Sequence, residues 1–398
     1  MAVTSRFYFL TILIAALSSV AANAAVLPED RSDILFHQYE GDDSTFNGPS
    51  ILVRKGFKDT VSAWANYYVD FNSAASIDVV TQGSPYKEQR VETSFGADYL
   101  YNKTVLSTSF TNSSENDYEA DSFSLGLSQE FFGDLSTFTM NYAKGEDDIY
   151  QNRRNGPGAG DIIGRDFQGN AHHQRFAIGW TQILTKNWIT SFNAEASIDE
   201  GFLRNPYRSV RIVNAAVGGN DQFRETEIYP ATRSSQAYAV KSMYYLPWRS
   251  AVKLEYRTFN DSWQIEANNY EIKYTHPFKE NWIFDIRYRF YDQTQASFYR
   301  EFFDFAEQFD FRASDKELST FSNTAIGFGV TWEFIPTWAP FVDRATLNFY
   351  FDYVDYQYDN FLDKRQSVLS DPNRVEFGEE DPFSFTANIS RLFLSIWY

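Results

Sequence analysis

The feature that most restricts the fold of this chain is an alternation of apolar and polar side chains. Between residues 282 and 291, every second residue is aromatic or aliphatic, and most residues between them are charged. Successive side chains of a β-strand point to opposite faces, so this segment predicts a strand with one apolar and one charged face. The same pattern returns at 123–128, 175–180, 188–198, 252–257, 270–274, 326–334 and 347–353. The sequence therefore predicts an all-β protein.

The connections between these segments alternate in length. Long polar connections are predicted at 72–87, 112–117, 145–170, 199–233, 293–318 and 357–383, with one short exception near Asp261-Ser262. Short turns are predicted at Lys58-Asp59, Asn102-Lys103, Gly133-Asp134, Thr185-Lys186, Pro247-Trp248, Lys279-Glu280 and between Pro336 and Pro340. Short turns at one end and long loops at the other are typical of a transmembrane antiparallel up-and-down β-barrel in a bacterial outer membrane.

The number of strands follows from the same alternation. The short turns pair fourteen strands, the C-terminal segment 384–398 adds one, and chain ends that both lie in the periplasm require an even number. Residues 32–40 supply the missing strand, with Gly41–Pro49 as the first loop. We expect sixteen strands. Fourteen is the alternative, because 32–40 alternates poorly.

The N-terminus has the pattern of a secretory signal peptide. Arg6 precedes an apolar run from Phe7 to Leu17, and Ala22-Asn23-Ala24 resembles a cleavage site. We expect residues 1–24 to be removed and the barrel to comprise 25–398. No later stretch has about 18 consecutive apolar residues, so we expect no transmembrane helix. Together with the barrel pattern, this predicts a location in the bacterial outer membrane.

The C-terminus ends on an aromatic residue within an alternating segment. Leu392, Leu394, Ile396 and Tyr398 lie on one face of the last predicted strand. Such an ending resembles the signal that the barrel-assembly machinery recognises. Outer-membrane lipid and lipopolysaccharide are the other expected partners of the apolar face.

The charge and the cysteine content exclude several kinds of partner and site. The formal net charge of −18 argues against a nucleic-acid partner, which requires a basic surface. The absence of cysteine excludes disulfides and thiolate metal sites. Aromatic residues make up 18% of the chain although the mean hydropathy is −0.44, which fits apolar residues confined to one face.

No motif indicates catalysis, a cofactor or a metal site, so we expect none of them. Nucleophile elbows, zinc-binding helices, phosphate loops and dinucleotide fingerprints are absent from the sequence. His172 and His173 are adjacent on a strand and therefore face opposite sides, which makes them a poor metal pair. The acidic groups Asp42-Asp43, Glu146-Asp147-Asp148 and Glu379-Glu380-Asp381 offer oxygen ligands for calcium, but solvated loop charge is the simpler interpretation.

Alternation assigns a set of charged residues to the interior of the barrel. They either line a pore for polar or charged solutes or form a salt-bridged interior without an open channel. Sixteen strands leave room for an aqueous channel, although inward Trp64, Tyr68, Tyr291 and Tyr350 would narrow it. The residues expected to line the lumen are Arg175, Lys253, Glu255, Arg257, Glu271, Lys273, Asp285, Arg287, Arg289, Asp352 and Arg391.

The connection 293–318 is unusually aromatic for a loop in water. It contains Phe298-Tyr299, Phe302-Phe303, Phe305, Phe309 and Phe311 among acidic residues. We expect it to fold into the lumen, cap the mouth or bind a partner, or else to pack on itself over the rim of the barrel.

Several local segments resemble a family of proteobacterial proteins of unknown function that are predicted to be outer-membrane barrels. The segments are Gly48-Pro49-Ser50, Val53–Gly56, Ala65–Asp70, Ser76–Val80, Asn116–Ala120, Asp199–Leu203, Asn205–Arg208 and Asp315–Phe321. The resemblance implies the barrel and its location, and it implies no reaction or substrate. It also suggests a small lipoprotein or a periplasmic redox protein as partner.

Three functions are consistent with these observations. The first is a porin-like channel for small polar or charged solutes, without catalysis. The second is a plugged barrel that anchors a lipoprotein or a periplasmic redox protein. The third is a barrel hydrolase, which ranks last because no catalytic triad is apparent. The sequence leaves the solute, the partner and the oligomeric state undetermined.

Overall fold

The computed structural model describes residues 26–74, 86–154, 162–213, 222–367 and 373–398. The expected signal peptide lies outside these residues. The strands are β1 (Arg31–Gly41), β2 (Ser44–Phe57), β3 (Val61–Ala74), β4 (Tyr86–Tyr101), β5 (Thr104–Ser114), β6 (Tyr118–Phe131), β7 (Ser136–Arg154), β8 (Ile162–Thr185), β9 (Trp188–Gly201), β10 (Ser209–Val213), β11 (Gln222–Thr226), β12 (Thr232–Tyr245), β13 (Ala251–Asp261), β14 (Glu266–Phe278), β15 (Trp282–Gln293), β16 (Phe321–Phe334), β17 (Arg344–Leu362) and β18 (Pro382–Trp397).

Sixteen of these strands form one closed antiparallel barrel. Each barrel strand pairs with its neighbour in the chain, except that β9 pairs with β12, because β10 and β11 form a separate hairpin. The last strand β18 closes the barrel on β1, with Phe36 opposite Leu392. Closure leaves no sheet edge unpaired. The prediction of sixteen strands is confirmed, and 32–40 is a barrel strand.

Three predicted long connections are wrong. The connection predicted at 112–117 is a three-residue turn, because β5 runs to Ser114 and β6 begins at Tyr118. The predicted first loop, Gly41–Pro49, is a two-residue turn, because Asp42 and Asp43 adopt left-handed conformations (φ of 49° and 50°) that join tight hairpins. Most of the predicted loop 145–170 belongs to long extensions of β7 and β8, with Asp148 opposite Asn170. The Gly-rich residues 156–160 lie outside the described residues.

The outer face of the barrel is apolar. Ile286 on β15 and Ile326 on β16 are 58% and 59% exposed, and comparable residues occur on most barrel strands. A soluble protein seldom exposes so large an apolar surface, whereas lipid-facing barrel strands must do so. In the part of the chain that the structure describes, no helix is long and apolar enough to cross a membrane.

Candidate functional site

A ladder of opposite charges runs along the inner face of β12–β18. The side chains alternate along each strand with the exposed apolar ones, so they point to the concave side of the barrel. The ladder consists of six successive contacts: Arg391–Asp352 (2.6 Å), Asp352–Arg287 (2.6 Å), Arg287–Glu271 (3.7 Å), Glu271–Lys253 (3.0 Å), Lys253–Glu255 (3.1 Å) and Glu255–Lys241 (3.6 Å).

Two glycines on β16 allow the charges to meet across that strand. Gly327 lies between Arg287 on β15 and Asp352 on β17 in the register of the sheet. A Cβ atom at Gly327 would lie 2.0 Å from the Asp352 carboxylate. At Gly329, a Cβ atom would lie 2.4 Å from the Tyr350 ring. The ion pair between β15 and β17 therefore depends on the missing side chain of β16.

A second contact group lies one row closer to the short-turn end. Lys273 on β14 pairs with Asp285 on β15 at 3.2 Å. The Tyr350 hydroxyl donates to the other oxygen of Asp285 at 3.1 Å. The Asp285 carboxylate is thus held by partners from β14 and β17.

The structure brings nine of the eleven expected lumen residues into ion pairs. Outside the ladder and the Lys273–Asp285 pair, Arg175 lies 3.5 Å from Glu195. Arg257 and Arg289 belong to no ion pair among the described residues, and the Nη2 atom of Arg289 donates to the Asn323 side chain at 3.1 Å. Whether this set lines a pathway for solutes stays a prediction.

The expected set of lumen residues lacked Lys241 and Glu195, although the alternation of 188–198 already placed Glu195 on the polar face of its strand. Lys241 alternates with Tyr238, Val240 and Tyr244, of which the last two are 46% exposed. This alternation could have predicted that Lys241 faces inward, but polar residues on the outer side of β12 make the pattern less clear. We define the charged belt as the cations Lys241, Lys253, Arg257, Lys273, Arg287, Arg289 and Arg391 with the anions Glu255, Glu271, Asp285 and Asp352.

Solvent reaches the charged belt from inside the barrel. The paired cations of the belt retain 27–33% of their side-chain exposure despite their ion pairs. Asp352, which accepts from two arginines, is only 4% exposed. The belt is therefore a solvent-exposed surface, and its cationic side chains are more exposed than the carboxylates they bind.

The opposite inner wall, on β4–β9, is built mainly from small side chains, with charged residues such as Asp98 and the Arg175–Glu195 pair among them. On β5 and β6, Ser109 and Ser124 face each other with their hydroxyl oxygens 2.6 Å apart. The inner positions of β4–β9 are largely occupied by Ser94, Gly96, Ser107, Ser109, Thr111, Ser122, Ser124, Gly126, Ser128, Thr139, Ala143, Ala177, Gly179, Thr181 and Ser191.

An aromatic cap covers part of the long-loop end. Among the described residues, it is formed by 202–213, 222–231, 294–320, 363–367 and 373–381. Loop 294–320 contributes Phe298 and Tyr299, which are 8% and 2% exposed. They pack in one cluster with Ala296, Ala313 and Leu318 of the same loop and with Trp263, Ile265, Phe321, Tyr358, Phe361 and Phe383. The loop thus packs on itself and on the rim ends of the neighbouring strands, one of the arrangements expected for it; whether it also binds a partner stays a prediction.

Buried charges connect the three segments of the cap. Arg211 is 2% exposed and binds Glu301 of loop 294–320 and Glu380, the latter at 2.8 Å. Lys364 lies 3.7 Å from the same Glu301. Lys316 pairs with Asp42 at the tip of the β1–β2 hairpin. Each pair joins residues that are far apart in the chain, so the cap is a folded unit.

Residues 207 and 208 connect opposite sides of the mouth. The Tyr207 hydroxyl donates to Asp117, which follows β5, at 2.7 Å. Its neighbour Arg208 pairs with Asp315, between β15 and β16, at 2.7 Å. In the order of the closed barrel, β5 and β6 lie nearly opposite β15 and β16. The cap therefore bridges the mouth and narrows it.

Glu227 is a buried carboxyl group of the cap whose pKa is raised. It is completely buried, accepts from the Ser314 backbone at 2.8 Å and from the Tyr229 hydroxyl at 2.7 Å, and faces Asp315. Burial, followed by the nearby Asp315 carboxylate, raises the pKa of Glu227 to about 7. The proton on this carboxyl is therefore linked to the closure of the cap.

The histidines and acidic groups singled out in the sequence have local partners. His173 contacts Asp199 through Nδ1 at 2.7 Å and Asp147 through Nε2 at 3.0 Å, whereas its neighbour His172 lies on the other face. His37 lies 3.1 Å from Asp70. Within the described ranges, no group of three or more histidine or acidic side chains is arranged to hold a metal ion.

The C-terminal residue is tied to β2 and to the segment that precedes β1. The Tyr398 hydroxyl donates to the Arg54 carbonyl at 3.2 Å, and its backbone N–H donates to the Asp30 carbonyl at 3.3 Å. Lys55 lies over the Tyr398 ring, 5.3 Å from its centre. These contacts fix the end of β18 at the short-turn rim.

A closed sixteen-stranded barrel with an apolar outer face has the fold of Gram-negative outer-membrane proteins. Within that class, residues 60–360 match the family described as "Protein of unknown function (DUF3570)", and the chain belongs to this family. Among curated proteins, no sequence matches the chain.

Solved outer-membrane barrels resemble the chain in fold alone. The siderophore receptor PirA from Acinetobacter baumannii is 10% identical with a TM-score of 0.45, and the match covers 83% of this chain and 53% of the receptor. A bacterial polysaccharide outer membrane secretin is 7% identical with a TM-score of 0.49, covering 93% and 99%. The CymD monoaromatic hydrocarbon channel is 10% identical with a TM-score of 0.42, covering 94% and 89%. The chain thus spans about half the length of the siderophore receptor.

Proposed function

We propose that this protein is an outer-membrane channel for small polar or charged solutes, with the cap restricting its outer mouth, and that it performs no catalysis. The observation that carries the proposal is the wet charged belt. A belt that only held the barrel together would bury both charges of each pair, since solvent weakens exposed pairs. Here the paired cations stay 27–33% exposed toward the interior.

The proposed mechanism is passive diffusion. A solute enters beside the cap, passes between the charged belt and the opposite wall on β4–β9, and leaves at the short-turn end, which lies in the periplasm of a typical outer-membrane barrel. The belt side chains replace part of the hydration of a charged solute and bias which ions pass. Many side chains of the opposite wall are short, which leaves room for the solute beside the belt.

Single-channel conductance in a planar bilayer tests this proposal. Arg287→Gln removes one belt cation, while Lys144→Gln removes a cation that is paired with Glu146 on the outer side of β7. We expect Arg287→Gln to change the reversal potential in a salt gradient and Lys144→Gln to leave it unchanged. A folded, inserted barrel that passes no current contradicts the proposal.

The second candidate is a plugged barrel that anchors a small lipoprotein or a periplasmic redox protein. The bridge from Tyr207 and Arg208 across the mouth favours it, because a complete cap would stop diffusion. Under this alternative, the intact barrel is silent, and breaking the cap with Arg211→Ala opens it. Crosslinking in intact cells would then identify the periplasmic partner, and Arg365→Ala in the exposed part of the cap serves as the matched control.

A further inference from the structure

We propose that Arg257 and Arg289 form a binding site for small oxyanions, carboxylates or phosphates, beneath the cap. This inference rests on the proposed channel function and names the class of solute that the channel prefers. The argument starts from the distribution of charge in the belt. Among the described residues, the belt contains seven cations and four anions, although the whole chain has a formal net charge of −18.

The positive excess is concentrated in these two arginines. Every other cation of the belt lies within 4 Å of a carboxylate. Within the described residues, neither Arg257 nor Arg289 does. The Nε atom of Arg289 is buried and has no hydrogen-bond partner there. The guanidinium of Arg289 therefore has one amide acceptor, Asn323, and a buried Nε donor that a ligand can satisfy.

The nearest carboxylates are already engaged. Glu271 stands opposite Arg289 in the register of β14 and β15, but it binds Lys253 at 3.0 Å and lies 3.7 Å from Arg287. Glu255 lies two residues from Arg257 on the same face and holds Lys253 and Lys241. The two arginines are therefore kept available by the pairing of their neighbours.

The register brings the two arginines toward one point. Arg257 on β13 lies opposite Asn269 on β14, and Asn269 lies opposite Tyr291 on β15. Arg289 lies two residues from Tyr291 on the same face of β15. The two arginines are two strand spacings apart, about 9.6 Å, and are offset by two residues, about 6.8 Å, along the strand, so their Cα atoms are about 12 Å apart. Two extended arginine side chains can reach one small anion across that separation.

The surroundings suit an anion that has left bulk water. Tyr291 and Phe259, two residues from Arg257, pack against the aromatic cluster of the cap. The aromatic cluster lies on the cap side of the two arginines, and the rest of the charged belt lies on their short-turn side. A guanidinium group can bind two oxygens of one carboxylate or phosphate through two parallel hydrogen bonds. This interaction is stronger where the cap excludes water. The amides of Asn269 and Asn323 offer further donors.

Isothermal titration of the refolded, detergent-solubilised protein tests the site, with inorganic phosphate in one arm and succinate in the other. We expect at least one of them to bind, and Arg257→Gln and Arg289→Gln each to weaken its binding by at least about tenfold. Arg257→Lys and Arg289→Lys keep the charge and should recover part of the affinity. The matched control is Arg175→Gln, which removes an inner-wall arginine that has its own carboxylate, Glu195.

Each outcome decides the question. Binding of phosphate alone or of succinate alone supports the site and identifies its class of ligand. A folded barrel that binds neither anion overturns the site, and so does an equal loss in Arg175→Gln, because that result reflects only the general field of the wall. The titration does not require conduction. If the barrel binds the anion but passes no current, the binding site is supported and the proposed channel function is contradicted.

Discussion

Arg287 and Asp352 form an ion pair at 2.6 Å although their strands are not neighbours. Strand β16 runs between them and presents Gly327 at the crossing. The pair exists because a residue with no side chain occupies the inner face of the intervening strand. Asp352 also binds Arg391 on β18. The carboxylate beside Gly327 therefore joins arginines of β15 and β18.

Substitution of Gly327 tests this arrangement. Gly327→Ala places a methyl group 2.0 Å from the Asp352 carboxylate and 3.3 Å from Arg287 Nε, so the ion pair must separate or the strands must shift. We expect a loss of about 1–3 kcal/mol in the free energy of unfolding, as for other overpacked sites. Urea unfolding monitored by tryptophan fluorescence in lipid vesicles measures it.

Gly145→Ala is the matched control, because a Cβ atom there meets its nearest neighbour at 3.6 Å. It lies on the inner face of β7 and should leave the stability within about 0.5 kcal/mol of the original value. Equal losses in the two variants would show that the loss of glycine itself, and not the crossing of the ion pair, determines stability.

Arg211 determines whether the cap stays closed. Its replacement by alanine leaves the buried carboxylates of Glu301 and Glu380 facing each other without that guanidinium, and losing one member of a buried pair costs about 3–5 kcal/mol. We expect Arg211→Ala to make loop 294–320 accessible to protease while the barrel strands stay protected. Arg365→Ala, whose side chain is 42% exposed and pairs with Asp363 at 2.8 Å, should leave the digestion pattern unchanged.

Glu227 gives the cap a dependence on pH. Its pKa is raised to about 7 in the closed cap, against an ordinary value of 4.5, so the closed cap retains a proton that an open cap releases. Closure is therefore most favourable below about pH 4.5 and weakens as the pH rises through about 7. We expect hydrogen exchange in residues 294–320 to accelerate on the order of a hundredfold between pH 5 and pH 8, after correction for intrinsic rates.

The variant Glu227→Gln removes the titrating group and keeps an acceptor oxygen for the Ser314 N–H, while its amide NH2 replaces the oxygen that accepts from Tyr229, whose hydroxyl must then accept. Its corrected exchange rates should be nearly independent of pH over the same range. If the original protein and this variant respond alike, another group governs the cap.

The sequence predicted the parts of the structure that follow from local alternation. The strands, the short turns and the inward orientation of residues such as Arg287 and Asp285 all follow from a period of two. The failures have a common cause. The extensions of β7 and β8, including Asp148 and Asn170, carry polar residues on both faces, because no lipid covers them.

Contacts between distant segments could not be predicted in this way. Periodicity specifies which face a residue occupies but not which residue of another strand lies opposite. The ion pair of Arg287 with Asp352 across Gly327 depends on the register of three strands. The contact of Arg208 with Asp315 depends on two loops separated by more than a hundred residues, and alternation carries no information about either loop.

Tyr398 separates assembly in the cell from folding of the barrel. The predicted assembly signal of Leu392, Leu394, Ile396 and Tyr398 ends on this residue, whose hydroxyl makes only a backbone contact at 3.2 Å and a contact with Ser32 at 3.3 Å. Loss of these part-buried contacts and of the Lys55 contact with the ring costs on the order of 1–2 kcal/mol, which a barrel of this size tolerates. We expect Tyr398→Ser to refold in detergent with a normal heat-dependent shift in gel mobility, yet to reach the outer membrane at least several-fold less than the original protein. Tyr244→Ser, at an exposed outer position of β12, is the control and should reach the membrane normally. Normal delivery of Tyr398→Ser would show that the terminal aromatic residue is not part of the signal.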